Sequence, residues 1–315
     1  MARFLVTGGA GFIGSNLVEA IAGGGDAVRV LDNFATGHRA NLEDAGAWAK
    51  AGSGSVELQE GDIRDLPTCR RAVVGVDYVL HQAAIPSVQQ SVKDPIGSND
   101  VNVSGTLNLL VAARDENVKR FVMASSSSVY GEGETFPKLE TMAPAPASPY
   151  GLQKLAGETY CGLFQRLYGL ATIALRYFNV FGPRQDPTSE YSAVIPSFVS
   201  AIKKGIQPTI FGDGEQTRDF IYIANVVRAN LLSCEAAPAA YGGAFNIACG
   251  ERISLNDLVR ILGDFAGRTV RPAYAPHRPG DIKHSLAGIE KAQRLLGYAP
   301  DVRVRDGLLR TWESL

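Results

Sequence analysis

The sequence predicts an α/β fold: a doubly wound parallel sheet with a smaller C-terminal α/β lobe. Three observations point there. Short apolar runs alternate with helical stretches through the first half of the chain. A glycine cluster lies between the first apolar run and the first helix. After about residue 178 the alternation becomes irregular, as where a second lobe leaves a sheet. The 315 residues, 45% of them hydrophobic, suffice for one large domain or two intimate ones. The expected division places residues 1–178 and about 220–251 with the sheet, and about 179–219 and 252–315 with the smaller lobe.

Composition excludes several classes. The formal net charge is -1 and no basic block stands out, which argues against nucleic acid and anionic membrane as partners. Cys69, Cys161, Cys234 and Cys249 lie far apart, with no Cys-x-x-Cys pair, so neither a zinc site nor a redox disulfide is expected. Reduced, buried cysteines in a cytoplasmic protein are the expectation. The chain runs straight into a strand-like segment, so no signal peptide is expected. No apolar run is long enough to span a bilayer, and there is no internal repeat.

Taken in order, Arg3–Thr7 reads as a buried strand, apolar on both faces. Gly8, Gly11 and Gly14 follow at three-residue spacing, and an amphipathic helix then runs to about Ala22. Gly8 permits a tight turn, Gly11 lets backbone approach a pyrophosphate, and Gly14 lets helix and strand pack closely. The helix N-terminus then faces the anion. Ala27–Leu31 is the next strand and Asp32 ends it, about 20 residues past the glycines. A carboxylate there accepts from a ribose 2′-hydroxyl and repels a 2′-phosphate, which favours NAD over NADP. This is the pattern of a Rossmann-type dinucleotide site.

Val56–Gln59 is a third strand. Beyond it, Asp62 suits an adenine amino group and Ile63 the ring face, although Asp62 equally suits capping a helix near Leu66. Val76–His81 is a fourth strand, with small residues after Gln82 at Ala83 and Ala84 that leave room for a ligand. His81 sits in an apolar run and is expected to be a satisfied core histidine. Asn99–Glu116 reads as one long helix, with Asn102 on its first turns where an amide can reach a cofactor. Arg120–Ala124 is a fifth strand and ends in Ser125, Ser126, Ser127 and Ser128. Hydroxyls at that end of a parallel strand face the ligand crevice. A loop rich in proline and glycine leads to Tyr150 and Lys154, four residues apart on one helix face. A lysine ammonium beside a phenol favours the phenolate, so the pair can act as a base near neutral pH, with a nearby serine sharing the proton. Thr172–Tyr177 is a sixth strand, Phe245–Ala248 a further one, and Ser254 caps a later helix.

Together, Gly8–Gly14, Asp32, Asp62, the serine run and Tyr150/Lys154 resemble the extended short-chain dehydrogenase/reductase family, and within it the UDP-hexose 4-epimerases. The resemblance covers nearly the whole chain. It implies a tightly bound NAD on the sheet domain and a UDP-sugar on the smaller lobe. It adds Phe12 and Ile13, Asn33 and Phe34, Thr36 and Gly37, and Tyr177 and Val180 to the cofactor site. For the substrate it implies Ser87, Ser126, Ser127, Ser128 and Asn179, and backbone at Ala193 and Val194 for the uracil. It adds Thr209, Phe211 and Gly212 to the substrate site, with Phe211 flanking the uridine. Arg218 and Arg278 would hold the diphosphate and Asp281 the ribose, a planar fork being well suited to phosphate. Ser285 stands where a bulky tyrosine would exclude an N-acetyl group. The segments Arg278–Ala287 and Phe178–Ile195 are most similar to UDP-N-acetylglucosamine 4-epimerases.

The implied reaction is 4-epimerisation through a transient 4-keto sugar, with Tyr150, Lys154 and Ser126 as the catalytic residues. UDP-N-acetylglucosamine and UDP-N-acetylgalactosamine, and also UDP-glucose and UDP-galactose, are candidate sugars. The dehydratase branch carries Thr-Asp-Glu where this chain has Ser126, Ser127 and Ser128, so water loss is not expected. A UDP-glucuronate 4-epimerase is the enzymatic alternative, with Arg184 as partner for the carboxylate. A non-catalytic NAD-binding regulator is the alternative from another class. The resemblance also implies a homodimer in which Asn99–Glu116 and Ser148–Tyr168 form a four-helix bundle.

Overall fold

The computed structural model describes residues 1–133, 135–186, 194–277 and 283–315. Seven strands form one parallel sheet: β1 (Arg3–Thr7), β2 (Ala27–Asp32), β3 (Ser55–Glu60), β4 (Tyr78–His81), β5 (Arg120–Ser126), β6 (Thr172–Tyr177) and β7 (Gly243–Ile247). Their order across the sheet is β7-β6-β5-β4-β1-β2-β3. The direction of winding reverses between β1 and β4, which are hydrogen-bonded neighbours, so a crevice opens at their carboxyl ends.

Apolar residues run continuously along these strands because both faces are covered. On β1, Phe4 and Val6 join one buried cluster and Leu5 the other. The first cluster packs under α1 (Phe12–Gly23) and the helix Ile223–Glu235. The second packs under α2 (Thr106–Asp115), α3 (Pro149–Tyr168) and the helix Leu66–Val73. All four cysteines are buried free thiols. No helix among the described residues is long and apolar enough to cross a membrane.

Two segments depart from expectation. The helix expected over Asn99–Glu116 is broken into Pro95–Asn99, a wide π-turn at Asp100–Gly105, and α2. The π-turn aims the Asn102 amide inward, and Gly105 lies where a Cβ would meet the Ile63 side chain at 2.6 Å. The fourth strand begins only at Tyr78, because the Val76 N–H donates to the Val73 carbonyl in a turn off the preceding helix.

The second half adds three small strand pairs. Asn179–Phe181 pairs parallel with Phe220–Tyr222, and Thr209–Phe211 parallel with Ala273–Ala275. Thr217–Arg218 pairs antiparallel with Ile253–Ser254. The Ser254 Oγ accepts from the Asp257 N–H at 3.0 Å, as a cap should. Ser148 caps α3 in the same way through the Gly151 N–H, at 3.1 Å, with Pro149 in the first turn.

Candidate active site

The glycine loop forms one wall of a cleft of about 750 Å³ at the carboxyl ends of β1 and β4. Gly8 has a left-handed φ of 68°, and a Cβ there would sit 2.7 Å from the Ala83 nitrogen. Gly11 is the N-cap of α1 and no side chain caps that helix, so its first N–H groups remain available to an anion. Asp32 is buried. One oxygen accepts from the Ala10 N–H at 2.9 Å and the other from the Phe34 N–H at 2.8 Å. The carboxylate thereby ties the glycine loop to the following turn, and each oxygen keeps a second lone pair for a ribose hydroxyl. Thr36, Gly37 and Ile63 also line this end of the cleft. These residues fit a dinucleotide: a glycine cradle, an open helix N-terminus and an acid spaced for a ribose.

Asp62 does not cap the helix Leu66–Val73. Asp65 does, accepting from the Thr68 N–H at 3.0 Å. Asp62 lines the cleft, where the Arg64 guanidinium donates to both its oxygens and Asn33 donates at 2.8 Å. Those hydrogen bonds, Arg64 foremost, hold its carboxyl down at about 2.

The opposite wall carries Ser125, Tyr150, Lys154 and Tyr177. Tyr150 and Lys154 are buried one turn apart on α3. The Lys154 Nζ donates to the Ala124 carbonyl at 2.9 Å and lies 5.8 Å from the centre of the Tyr150 ring. Burial pushes the Tyr150 phenol up to about 12, against a hydrogen bond with Ser126 that lowers it. Burial also brings Lys154 down to about 8, against the attraction of Glu158. In the protein alone, desolvation therefore outweighs the stabilisation of a phenolate by lysine that residue spacing suggests. The hydroxyls of Ser126 and Ser128 are 3.1 Å apart in the turn Ser127–Tyr130.

His81 is a core histidine. Its Nδ1 is 2.7 Å from the Thr7 hydroxyl and its Nε2 2.9 Å from the Thr106 hydroxyl. Thr106 spends its proton on the Asn102 carbonyl at 2.7 Å, so Nε2 is the donor and Nδ1 the acceptor. Burial drives the imidazole down to about 3, so it is neutral. Asn102 does not line the cleft. Its Oδ1 accepts from the Ile85 N–H at 2.7 Å, and its amide nitrogen donates to the Ile85 carbonyl and to Gln153. It holds the cleft-lining segment 82–87 in place. Phe34 and Val180 do not line the cleft either. The Phe34 ring lies under the Arg39 guanidinium at 4.0 Å, and Val180 is part of the strand Asn179–Phe181. Gln82, Tyr177 and Asn230 form a hydrogen-bonded triangle, with Asn230 supplied by the helix Ile223–Glu235.

Apart from Ser87, the expected substrate residues of this group lie in the second half of the chain. Asn179 donates to the Asp219 carbonyl at 3.1 Å. Val194 opens the helix Val194–Lys203. Thr209 and Phe211 bound a three-residue strand, and Gly212 follows with a φ of 99°. Arg218 donates to the carbonyls of Thr217 and Lys283. The Ser285 N–H donates to the Thr217 carbonyl at 3.1 Å. Ser87 caps the helix Val88–Lys93 and stands at the cleft. Ala193, Arg278 and Asp281 lie outside the described residues. Arg184 is turned to α1, where it pairs with Glu19 at 2.5 Å.

Gln216 is among the residues absent from the sequence reading. Gln216 is buried, and its amide nitrogen donates to the Phe211 carbonyl at 2.6 Å. Its Oε1 has no partner among the described residues. A buried acceptor left open beside Phe211 and Gly212 is what a ligand donor completes. Nothing in the local sequence distinguishes this glutamine from a surface one.

Fold and cleft define a dinucleotide-binding enzyme of the doubly wound α/β class. Residues 4–248 match the NAD dependent epimerase/dehydratase family, and the chain belongs to it. A putative UDP-glucose 4-epimerase of Methanocaldococcus jannaschii is 38% identical over 97% of this chain and 96% of its own. A UDP-N-acetylglucosamine 4-epimerase from Methanobrevibacter ruminantium M1, solved with UDP-N-acetylmuramic acid, superimposes with a TM-score of 0.92 at 39% identity. That match covers 99% of this chain and 97% of the other. A UDP-glucuronic acid 4-epimerase from Bacillus cereus, solved with UDP-glucuronic acid and NAD, gives 0.88 at 33% identity over 99% and 98% of the two chains.

Proposed function

We propose that this NAD-dependent UDP-sugar 4-epimerase interconverts UDP-N-acetylglucosamine and UDP-N-acetylgalactosamine, with UDP-glucose and UDP-galactose as further substrates. The observation that carries this reading is the Tyr150–Lys154 pair in the cleft that the glycine cradle also lines, with Ser126, itself outside the cleft lining, hydrogen-bonded to Tyr150. When bound, NAD supplies the acceptor for the C4 hydride and the source from which it is returned. Tyr150 takes the proton of the sugar 4′-hydroxyl, directly or through Ser126, and gives it back after the sugar has turned over. Lys154 stabilises the ionised phenol. Arg218 anchors the diphosphate, and the family pattern adds Arg278 and Asp281. The free Gln216 oxygen takes a donor from the nucleotide. A firmly held UDP leaves the 4-keto sugar free to rotate about its bond to the diphosphate. The sheet domain thus serves NAD and the smaller lobe the UDP-sugar.

Ser285 supports an N-acetylated sugar because its small side chain leaves room at C2. The similarity to an N-acetylglucosamine epimerase points the same way. The glucuronate alternative needs a cation for the C6 carboxylate, and Arg184 is already neutralised by Glu19. The same reading includes a homodimer formed through α2 and α3.

The test uses purified protein with no added NAD. UDP-N-acetylglucosamine and UDP-glucose are supplied separately, and the anomeric proton is followed by NMR. Conversion of the first to its galacto form supports the reading, and the rate ratio reports what Ser285 permits. Conversion of UDP-glucose alone overturns the N-acetyl assignment. Conversion of UDP-glucuronate alone would transfer the assignment to that sugar.

A further inference from the structure

Three side chains of α3 grip three consecutive residues at the end of β5. Tyr150 is hydrogen-bonded to Ser126, Lys154 donates to the Ala124 carbonyl at 2.9 Å, and Glu158 accepts from the Ser125 hydroxyl. Positions 150, 154 and 158 are successive turns of one helix face, so they form a single stripe against the strand end. Two members of the stripe belong to the proposed chemistry. The third, Glu158, is buried and does not line the cleft, although its partner Ser125 does.

Glu158 is also the centre of a buried network. Arg176 on β6 forks onto both its oxygens, at 2.9 and 2.7 Å. The same guanidinium donates to the Tyr130 hydroxyl at 2.8 Å, and Tyr130 donates to Asn246 at 2.7 Å. Asn246 in turn donates to the carbonyls of Lys138 and Gly288. A buried ion pair of this kind is costly to desolvate and adds little net stability, so its presence calls for another role.

We propose that Glu158 is a positioning residue for Lys154: it keeps the lysine an ammonium in a dry pocket and sets its helix in register with the end of β5. The inference rests on the reading of Tyr150 and Lys154 given above. Burial alone depresses a lysine, and the nearby carboxylate opposes that depression. The other ionisable groups around Lys154 are accounted for. Tyr150 lies on its own helix, neutral His81 on β4, and Tyr177 on β6. Arg176 is spent on Glu158 and Tyr130, and Lys291 donates to the Ala244 carbonyl on β7 at 2.8 Å.

The test is the pH profile of kcat in the holoenzyme. The reaction needs the ammonium, so turnover falls as pH rises through the lysine's pKa. Removing the carboxylate lowers that pKa further and moves the alkaline limb to lower pH. In Glu158→Gln the limb moves down by about one pH unit, and kcat above it falls about tenfold. KM for the UDP-sugar changes by less than about twofold, since the anchor is untouched. Glu158→Asp keeps the charge and restores the limb. If an unpaired Arg176 prevents Glu158→Gln from folding, Glu158→Gln/Arg176→Met removes both charges and displaces the limb in the same direction by less, because the repulsion of the guanidinium is lost with the attraction of the nearer carboxylate. A limb that stays at its wild-type position in a folded Gln variant overturns the proposal. Lys154→Met distinguishes the two levels: normal turnover there sinks the underlying reading, whereas an inactive Lys154→Met with an unmoved limb sinks only the role of Glu158.

Discussion

Tyr150 meets two opposing demands. Burial raises its phenol to about 12, yet the proposed cycle needs the proton to leave and return near neutral pH. The Ser126 hydrogen bond lowers the barrier to ionisation, and a substrate hydroxyl placed against the same oxygen extends that network. Tyr150→Phe deletes one oxygen and leaves the ring in its packed position. Turnover should fall by about 10²- to 10⁴-fold, the usual contribution of a positioned acid-base group. UDP binding, measured by calorimetry, should stay within about twofold because the anchoring residues are elsewhere. Near-normal turnover in this variant would remove Tyr150 from the reaction.

His81 shows how elements share a single polar thread. Thr7 on β1, His81 on β4 and Thr106 on α2 form a buried relay that ends on the Asn102 carbonyl, and Thr7 also accepts from the Ala83 N–H at 3.3 Å. Its pKa is about 3 when folded and 6.5 when free, so the unfolded chain binds the proton that the folded one refuses. The stability this gives is present above pH 6.5 and is lost as pH falls toward 3. Urea unfolding should show up to about 1.4 kcal/mol lost per pH unit across that window from this group. His81→Gln should remove that component, and an identical pH dependence in the variant would refute it. Such threads also mark what the sequence conceals. The strands, the glycine loop and the Tyr150/Lys154 pair were legible because each rests on local spacing. Asp62 and Asp65 were not distinguishable as caps, since both precede the same helix and only the turn geometry selects Asp65. Asn102 reads as reaching a cofactor, whereas its amide is taken up by the Ile85 backbone and Gln153, partners that the fold and not the local spacing supplies. Gln216, Asn230 and Glu158 act through partners that the fold brings together. Gln82 and Asn230, for instance, are 148 residues apart.

At the scale of the molecule, α2 and α3 lie side by side on one face of the sheet, and their outer stripe is apolar. Leu107 and Val111 on α2 are only half-buried. On α3, Leu152 is 58% exposed and Leu167 66%. A stripe of this kind, running the length of a helix that also carries the proposed catalytic pair, is suited to a second copy of the same surface. Two copies of α2 and α3 would then make the four-helix bundle. The prediction is a dimer in sedimentation velocity at micromolar concentration, about twice the 33.6 kDa chain mass. Leu152→Glu/Leu167→Glu should shift it to the monomer, because desolvating a carboxylate at such a face is unfavourable. Both positions are exposed within one chain, so the variant protomer should keep its fold, read by circular dichroism. A wild-type monomer at these concentrations would contradict the proposal, as would a double variant that stays dimeric.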